Sequence, residues 1–261
     1  MGQDDIFDAV NKPGMIPGIY NYCDRWCEKC AFTRRCANFE INDELFSGIE
    51  GIDLRNKQFW EKFQEVMKVT LEMVREKAVE MGIDMDTIDI EACKKEQQVR
   101  DNEAEKFEIS SLSKEYIYLI DDWFKSSQDL INEKNHEFEL LDKLELTGND
   151  KGSKVEYLNN LVEVIRWYQF QIFIKIMRAV SGRMEYESIT DDSFPKDHDG
   201  SAKVALIGID RSLSAWGSLL GIFPEEEDQL YKILIHLEKL RRMTEAEFPA
   251  AREFIRPGFD E

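Results

Sequence analysis

VEYLNNLVEVIRWYQFQIFIKIMRAVSGR, residues 155–183, is the stretch on which the fold turns. Ile165, Trp167, Tyr168, Phe170, Ile172, Phe173, Ile174 and Ile176 recur at helical spacing and cover nearly its whole circumference. A buried strand of this composition would end within about 8 residues, so the run is a helix. A helix that is apolar nearly all round needs other helices around it. The segment therefore predicts the centre of a bundle.

Neighbouring segments supply the partners. Residues 202–220 are apolar through Val204, Leu206, Ile209, Leu213, Trp216 and Leu219, with Gly221 as a stop signal. Pro224 followed by four acidic residues predicts a helix start, running to about residue 242. Thr244 and Glu247 match a capping box for a short last helix. Upstream, residues 113–146 read as one long helix or two shorter ones with a break at 132–135, and residues 56–81 as an amphipathic core helix ended by Gly82. Residues 83–100 begin a further helix whose polar continuation is a solvated helix or a loop. No alternating strand pattern, internal repeat or glycine-rich phosphate loop competes. The expected class is all-α: a helical bundle at 41–261, with a possible subdivision at the turn-rich 147–153, preceded by an irregular cysteine knuckle at 1–40.

The knuckle carries the chemistry. Within YCDRWCEKCAFTRRC, residues 22–36, stand Cys23, Cys27, Cys30 and Cys36, four of the five cysteines of the chain. On a helix turning about 100° per residue, the first three fall within roughly 60° on one face, and Cys36 would fold back to complete the set. Four thiolates saturate either a tetrahedral zinc ion or a [4Fe-4S] cluster. Zinc sites commonly pair two C-x2-C units across about 12 or more residues, whereas here the ligands form one compact run, which favours iron-sulfur. Tyr20, Tyr22, Trp26, Phe32 and Phe39 surround the motif, either to shield a centre from water or to anchor the knuckle.

The C-x2-C-x5-C portion, Cys27 to Cys36, resembles the tail of the iron-sulfur cluster loop in the endonuclease III class of DNA glycosylases. The longer first gap of that class and its helix-hairpin-helix motif are missing, so its activity does not transfer. The first three cysteines match the C-x3-C-x2-C of radical S-adenosylmethionine enzymes, but no strand-helix barrel pattern follows. As a whole the chain is similar to an uncharacterised bacterial protein family with this knuckle near the N-terminus, a helical remainder and an RPGFD-like tail. That resemblance implies the fold and no activity.

Composition narrows the partners. With 34 Lys and Arg against 53 Asp and Glu, the net charge is -19, a field that repels phosphate backbones and anionic lipid. Nucleic acid and membranes are therefore poor partners, and a redox or protein partner is the expectation. The stretch MGQDDIFDAV lacks the basic and apolar regions of a secretory signal, and no run of about 18 apolar residues exists, predicting a cytoplasmic protein with reduced thiols.

A second constellation lies inside the apolar helices: Glu163 and Arg166, Lys203 and Asp210, and His236. They read either as one buried salt-bridge network or as a pocket for a small polar ligand, with His236 as a proton carrier. Asp197 and Asp199 before Gly200 are a fragment of a calcium loop without its first and last ligands. No G-x-S-x-G elbow is present, and only His136, His198 and His236 are available for general-base work. Three functions follow: an electron-transfer or redox-sensing [4Fe-4S] protein, an interaction protein stapled by zinc, or a bundle enzyme using the polar pocket.

Overall fold

In a computed structural model, which describes residues 12–46, 57–144, 153–188 and 196–260, the chain is all-α. Residues 1–11, 147–152 and Pro195, which carry the N-terminal reading, most of the proposed subdivision and part of the calcium-loop fragment, lie outside the described residues. The helices are α1 (Ala37–Phe46), α2 (Lys57–Glu80), α3 (Ile90–Glu105), α4 (Glu108–Ser126), α5 (Gln128–Lys143), α6 (Lys154–Ser188), α7 (Asp197–Ile222) and α8 (Glu227–Glu247). No strand occurs among the described residues. None of these helices is long and apolar enough to cross a membrane.

Two compact units emerge, Met1–Glu96 with Ile255–Glu261, and Gln97–Phe254. The knuckle shares its unit with α1, α2 and the chain's C-terminal residues, and the division falls within α3.

In the 97–254 unit, α7 packs on α6 and α8, α4 packs on the same two helices, and α5 lies against α6. The core is aromatic at one end. Trp123 of α4 meets Trp216 of α7 edge to face at 5.0 Å and Phe223 at 6.1 Å, and Trp216 donates its indole N–H to the Tyr116 hydroxyl at 2.9 Å. That bond satisfies both polar groups where water cannot reach, and burial pushes the Tyr116 phenol well above its ordinary range. Close approach of α6 and α7 requires Gly208, because a Cβ there would stand 2.9 Å from Tyr168 Cδ1 and 3.1 Å from Ile172 Cγ1. Gly208→Ala is expected to lower the stability of this unit by about 1–2 kcal/mol, overpacking outweighing the roughly 1 kcal/mol gain in helix propensity. A shifted urea midpoint at constant slope would show it.

Several boundaries differ from expectation for local reasons. The break between α4 and α5 is at Ser127, not at 132–135; the Ser127 amide caps Trp123 O at 2.9 Å and the Ser126 hydroxyl bonds the same carbonyl at 3.1 Å. Thr244 is not a cap. It is buried inside α8 and donates back to Leu240 O at 2.8 Å, so α8 continues to Glu247. The start of α7 is Asp197, which turns the calcium-loop fragment into a helix N-terminus where Asp197 is held bidentately by Arg178 at 2.8 and 3.0 Å. The polar continuation after residue 94 is a solvated helix, α3, whose first turn is capped by Asp89 accepting from the Ala92 amide at 3.0 Å. Nor is α6 wholly enclosed: Phe170 and Ile174 are each 54% exposed, because its neighbours cover only part of its circumference.

Burial at the start of α7 has a pH consequence. His198 lies among Tyr186 and Phe248, 5.2 and 6.3 Å between ring centres, and burial pushes its imidazole below the ordinary range, with Lys196 and Arg183 adding to the effect and Asp199 opposing it. With the folded-state value lowered, the unfolded chain takes up the proton first. Stability is full above about pH 6.5 and falls as pH drops below it. Urea titrations at descending pH should show this loss, and His198→Gln should flatten it.

In the other unit, α2 ends as its sequence predicts: Gly82 adopts φ 73° and the Ile83 amide reaches back to Ala78 O at 2.8 Å, a left-handed C-cap. Among its described side chains, however, most of the apolar ones are exposed. Trp60, Phe63, Met67, Leu71 and Val74 are 40–55% exposed, and Val69 and Ala78 are the buried apolar side chains described on it. The periodicity marks an apolar face correctly but not whether anything covers it.

Candidate metal centre

Three short 3-10 turns, Ile19–Asn21, Cys27–Lys29 and Thr33–Arg35, replace the helix expected to carry the first three cysteines. Two features divert the backbone. Arg25 adopts φ 60°, left-handed for a residue with a Cβ, and Asp24 Oδ1 accepts from the Trp26 amide at 3.2 Å, an Asx turn. Cys27 opens the second turn and Cys30 closes it, donating to Cys27 O at 3.2 Å. Cys36 closes the third at 3.2 Å from Thr33 O, and its own carbonyl accepts the Phe39 and Glu40 amides to launch α1. Buried Ile19, Trp26 and Ala37 anchor the turns.

The four cysteines nevertheless line one cavity, with Tyr20, Trp26, Thr33 and Phe39 among its other walls. Its volume is about 20 Å³, room for about one water. Organic ligands occupy pockets of roughly 300–1,000 Å³, so the space beside the thiols does not suit a substrate. The Cys23 thiol donates to Tyr20 O at 3.5 Å, and Cys30 Sγ accepts the Phe32 amide at 3.4 Å. Burial pushes the Cys27 thiol above its ordinary range, and Cys23, Cys36, Cys30 and then Glu28 push it further. Ionising Cys27 is thus opposed unless a cation is among the thiols. As the side chains stand, no group of three or more His, Cys, Asp or Glu among the described residues is arranged to hold a metal ion.

No protein-family model, curated protein or solved structure matches this chain. The resemblances drawn from the cysteine spacing therefore stand on that motif alone, and the chemistry must come from the geometry.

A wall of the cavity comes from the far end of the chain. Phe259 lines it and meets Phe32 edge to face at 5.1 Å. Arg256 holds this tail in a closed turn, its backbone amide and guanidinium all bonding the Asp260 carboxylate at 2.8–3.0 Å. Gly258 sits at φ 74°, where a Cβ would be 2.8 Å from Ile16 Cδ1. Phe259 and Arg25, also in the lining, escape a reading by motif: one is more than 200 residues away, and the other is an ordinary surface arginine until its backbone is seen. The glycine in RPGF was the one available signal. Gly258→Ala is expected to cost roughly 2–4 kcal/mol, from left-handed strain plus overpacking, and to lift Phe259 from the thiols. Faster thiol modification by a disulfide reagent in the metal-free protein would report it.

Of the expected aromatic shell, Tyr20, Trp26 and Phe39 line the cavity, Phe32 braces Phe259, and Tyr22 is not in the wall.

The second constellation is not one network or one pocket. Arg166 is exposed, bonds Asp121 at 3.0 Å and Gln169 at 3.1 Å, and lies 3.9 Å from the Phe124 ring centre. Gln169, donating at 2.8 Å, and then Arg166 hold the Asp121 carboxyl below its usual range. Glu163 is exposed on the same helix. Lys203 donates to Phe254 O at 2.6 Å, and Asp210 pairs with Arg252 at 2.6 Å, which also reaches Glu245 at 2.8 Å. His236 Nε2 lies 2.8 Å from Leu112 O, so it carries the hydrogen and donates it, tying α8 to α4. Arg166, Lys203, Asp210 and His236 each serve a different inter-element tie at or near the surface, because their helices present them towards different neighbours.

Proposed function

We propose that Cys23, Cys27, Cys30 and Cys36 hold a metal centre, a [4Fe-4S] cluster, that the protein uses for electron transfer or redox sensing in the reducing cytoplasm. The observation that carries this reading is the single cavity lined by all four thiols, each of the other three opposing ionisation of Cys27. A cationic centre reverses that opposition. The donor chemistry suits a cluster, while the cavity of about 20 Å³ is sized for a single ion and would have to widen to admit eight atoms. An amide hydrogen bond to a ligand sulfur and aromatic cover are the levers by which proteins set cluster potential, and four thiolates leave no open coordination position for a substrate. When bound, the cluster would supply one-electron chemistry; the chain's own part is to hold the thiolates, exclude water with Trp26, Phe39 and Phe259, and place Arg25 in the wall around the negative centre.

The docked C-terminal tail favours a second reading, in which the same thiolates hold zinc and staple the knuckle for a protein partner. Anaerobic purification decides between them: absorbance at about 400 nm with about four irons and four sulfides per chain supports the cluster, while colourless protein with stoichiometric zinc overturns it. The enzyme reading finds no support in the placement of Glu163, Arg166, Lys203, Asp210 and His236.

A further inference from the structure

Residues 12–36 reverse the sign of the chain. Across the protein, acidic side chains outnumber basic ones 53 to 34. Within residues 12–36, Lys12, Arg25, Lys29, Arg34 and Arg35 face only Asp24 and Glu28. All five bases are exposed. Three have local ties: Lys12 to Glu40 at 2.6 Å, Arg35 Nε to Gly14 O at 3.0 Å, and Lys29 above the Trp26 ring at 4.3 Å. Among the described residues, Arg25 and Arg34 have no side-chain partner. Arg25 also bears the left-handed backbone, at φ 60°, while lining the thiol cavity. Strain of this kind persists where the surrounding structure holds a residue for a purpose, and here the strained residue stands in the wall of the thiol cavity.

A chain of net charge -19 repels another acidic protein over most of its surface. The knuckle is where such a protein can approach, and an electron carrier has to approach close to the centre. We propose that the exposed basic side chains Arg25, Lys29 and Arg34 of this stretch make the docking surface for an acidic one-electron carrier protein. The inference rests on the metal centre proposed above. One electron leaves the carrier's reduced redox group, which is oxidised, and enters the centre, which is reduced; no bond of either protein forms or breaks.

The test uses the full chain, reconstituted anaerobically, and a reduced acidic [2Fe-2S] ferredoxin as the probe. Stopped-flow reduction is expected to slow at least about 10-fold as salt shortens the screening length from roughly 30 Å at 0.01 M to about 3 Å at 1 M. The double variant Lys29→Glu, Arg34→Glu is expected to slow it comparably at low salt, while an unchanged visible spectrum shows the centre intact. Calorimetric binding of the oxidised ferredoxin is the second readout and needs no electron transfer, so it also works on protein that carries zinc. Zinc in place of iron would remove the cluster reading, yet salt-sensitive binding lost in the double variant would still support the docking face. Rates and binding indifferent to salt and to charge reversal overturn the proposal, as does faster reaction with the basic carrier cytochrome c.

Discussion

Cys27→Ser is expected to leave anaerobically purified protein without absorbance at about 400 nm and with iron reduced to background, the largest change any single substitution should produce. Cys27 opens a turn, lines the shared cavity, and is the thiol whose ionisation is opposed by burial and by Cys23, Cys36 and Cys30. Serine fits the backbone but replaces a soft thiolate by a hydroxyl that stays protonated, so the donor set falls from four to three. Removing a centre that binds only the folded knuckle also removes its contribution to folding, so the turns and the docked tail should become more susceptible to proteolysis. Cys93→Ser is the matched control: Cys93 is exposed, lies outside the cavity, and should change neither iron nor colour. Equal iron in wild type and Cys27→Ser would sink the assignment of this ligand.

Trp216→Ala is expected to destabilise the 97–254 unit by about 3–5 kcal/mol, most of the margin of a typical domain. Trp216 is fully buried, packs edge to face on Trp123, and donates to Tyr116, which has no exposed surface. The substitution therefore opens a cavity and strands a buried hydroxyl together. A much lower urea midpoint, with the decline shared by tryptophan fluorescence and circular dichroism, would show it. Trp60→Ala, on the exposed face of α2, should change stability by less than about 1 kcal/mol, although both tryptophans occupy apolar helical positions in the sequence.

That contrast marks how far the sequence can be read. Helices were legible almost everywhere, and Gly82 stopped α2 where its chemistry required. Less legible were the boundaries at Ser127, Asp197 and Thr244, where serine or threonine back-bonding and the packing of a buried first turn outweighed local propensity. The cysteines announced themselves by spacing, because metal ligands must be of particular residue types. Phe259 and Arg25 did not, because nothing in their identity shows that they line the thiol cavity. The polar residues in the apolar helices misled for the converse reason: a shared helical pattern says which face a residue occupies on its own helix, not which neighbour that face meets.

The chain's periodicity and composition alone establish an all-α protein of strongly acidic surface with a compact four-thiol motif. Both follow from local rules, since 3.6-residue repetition and thiol chemistry need no distant partner. Only the folded chain decides that the thiols share a cavity despite the absence of a helix beneath them, that the RPGFD tail returns to wall it, and that Glu163, Arg166, Lys203, Asp210 and His236 separate. Those outcomes depend on contacts between residues far apart in sequence, whose closeness is set by packing the whole chain and is written in no single segment.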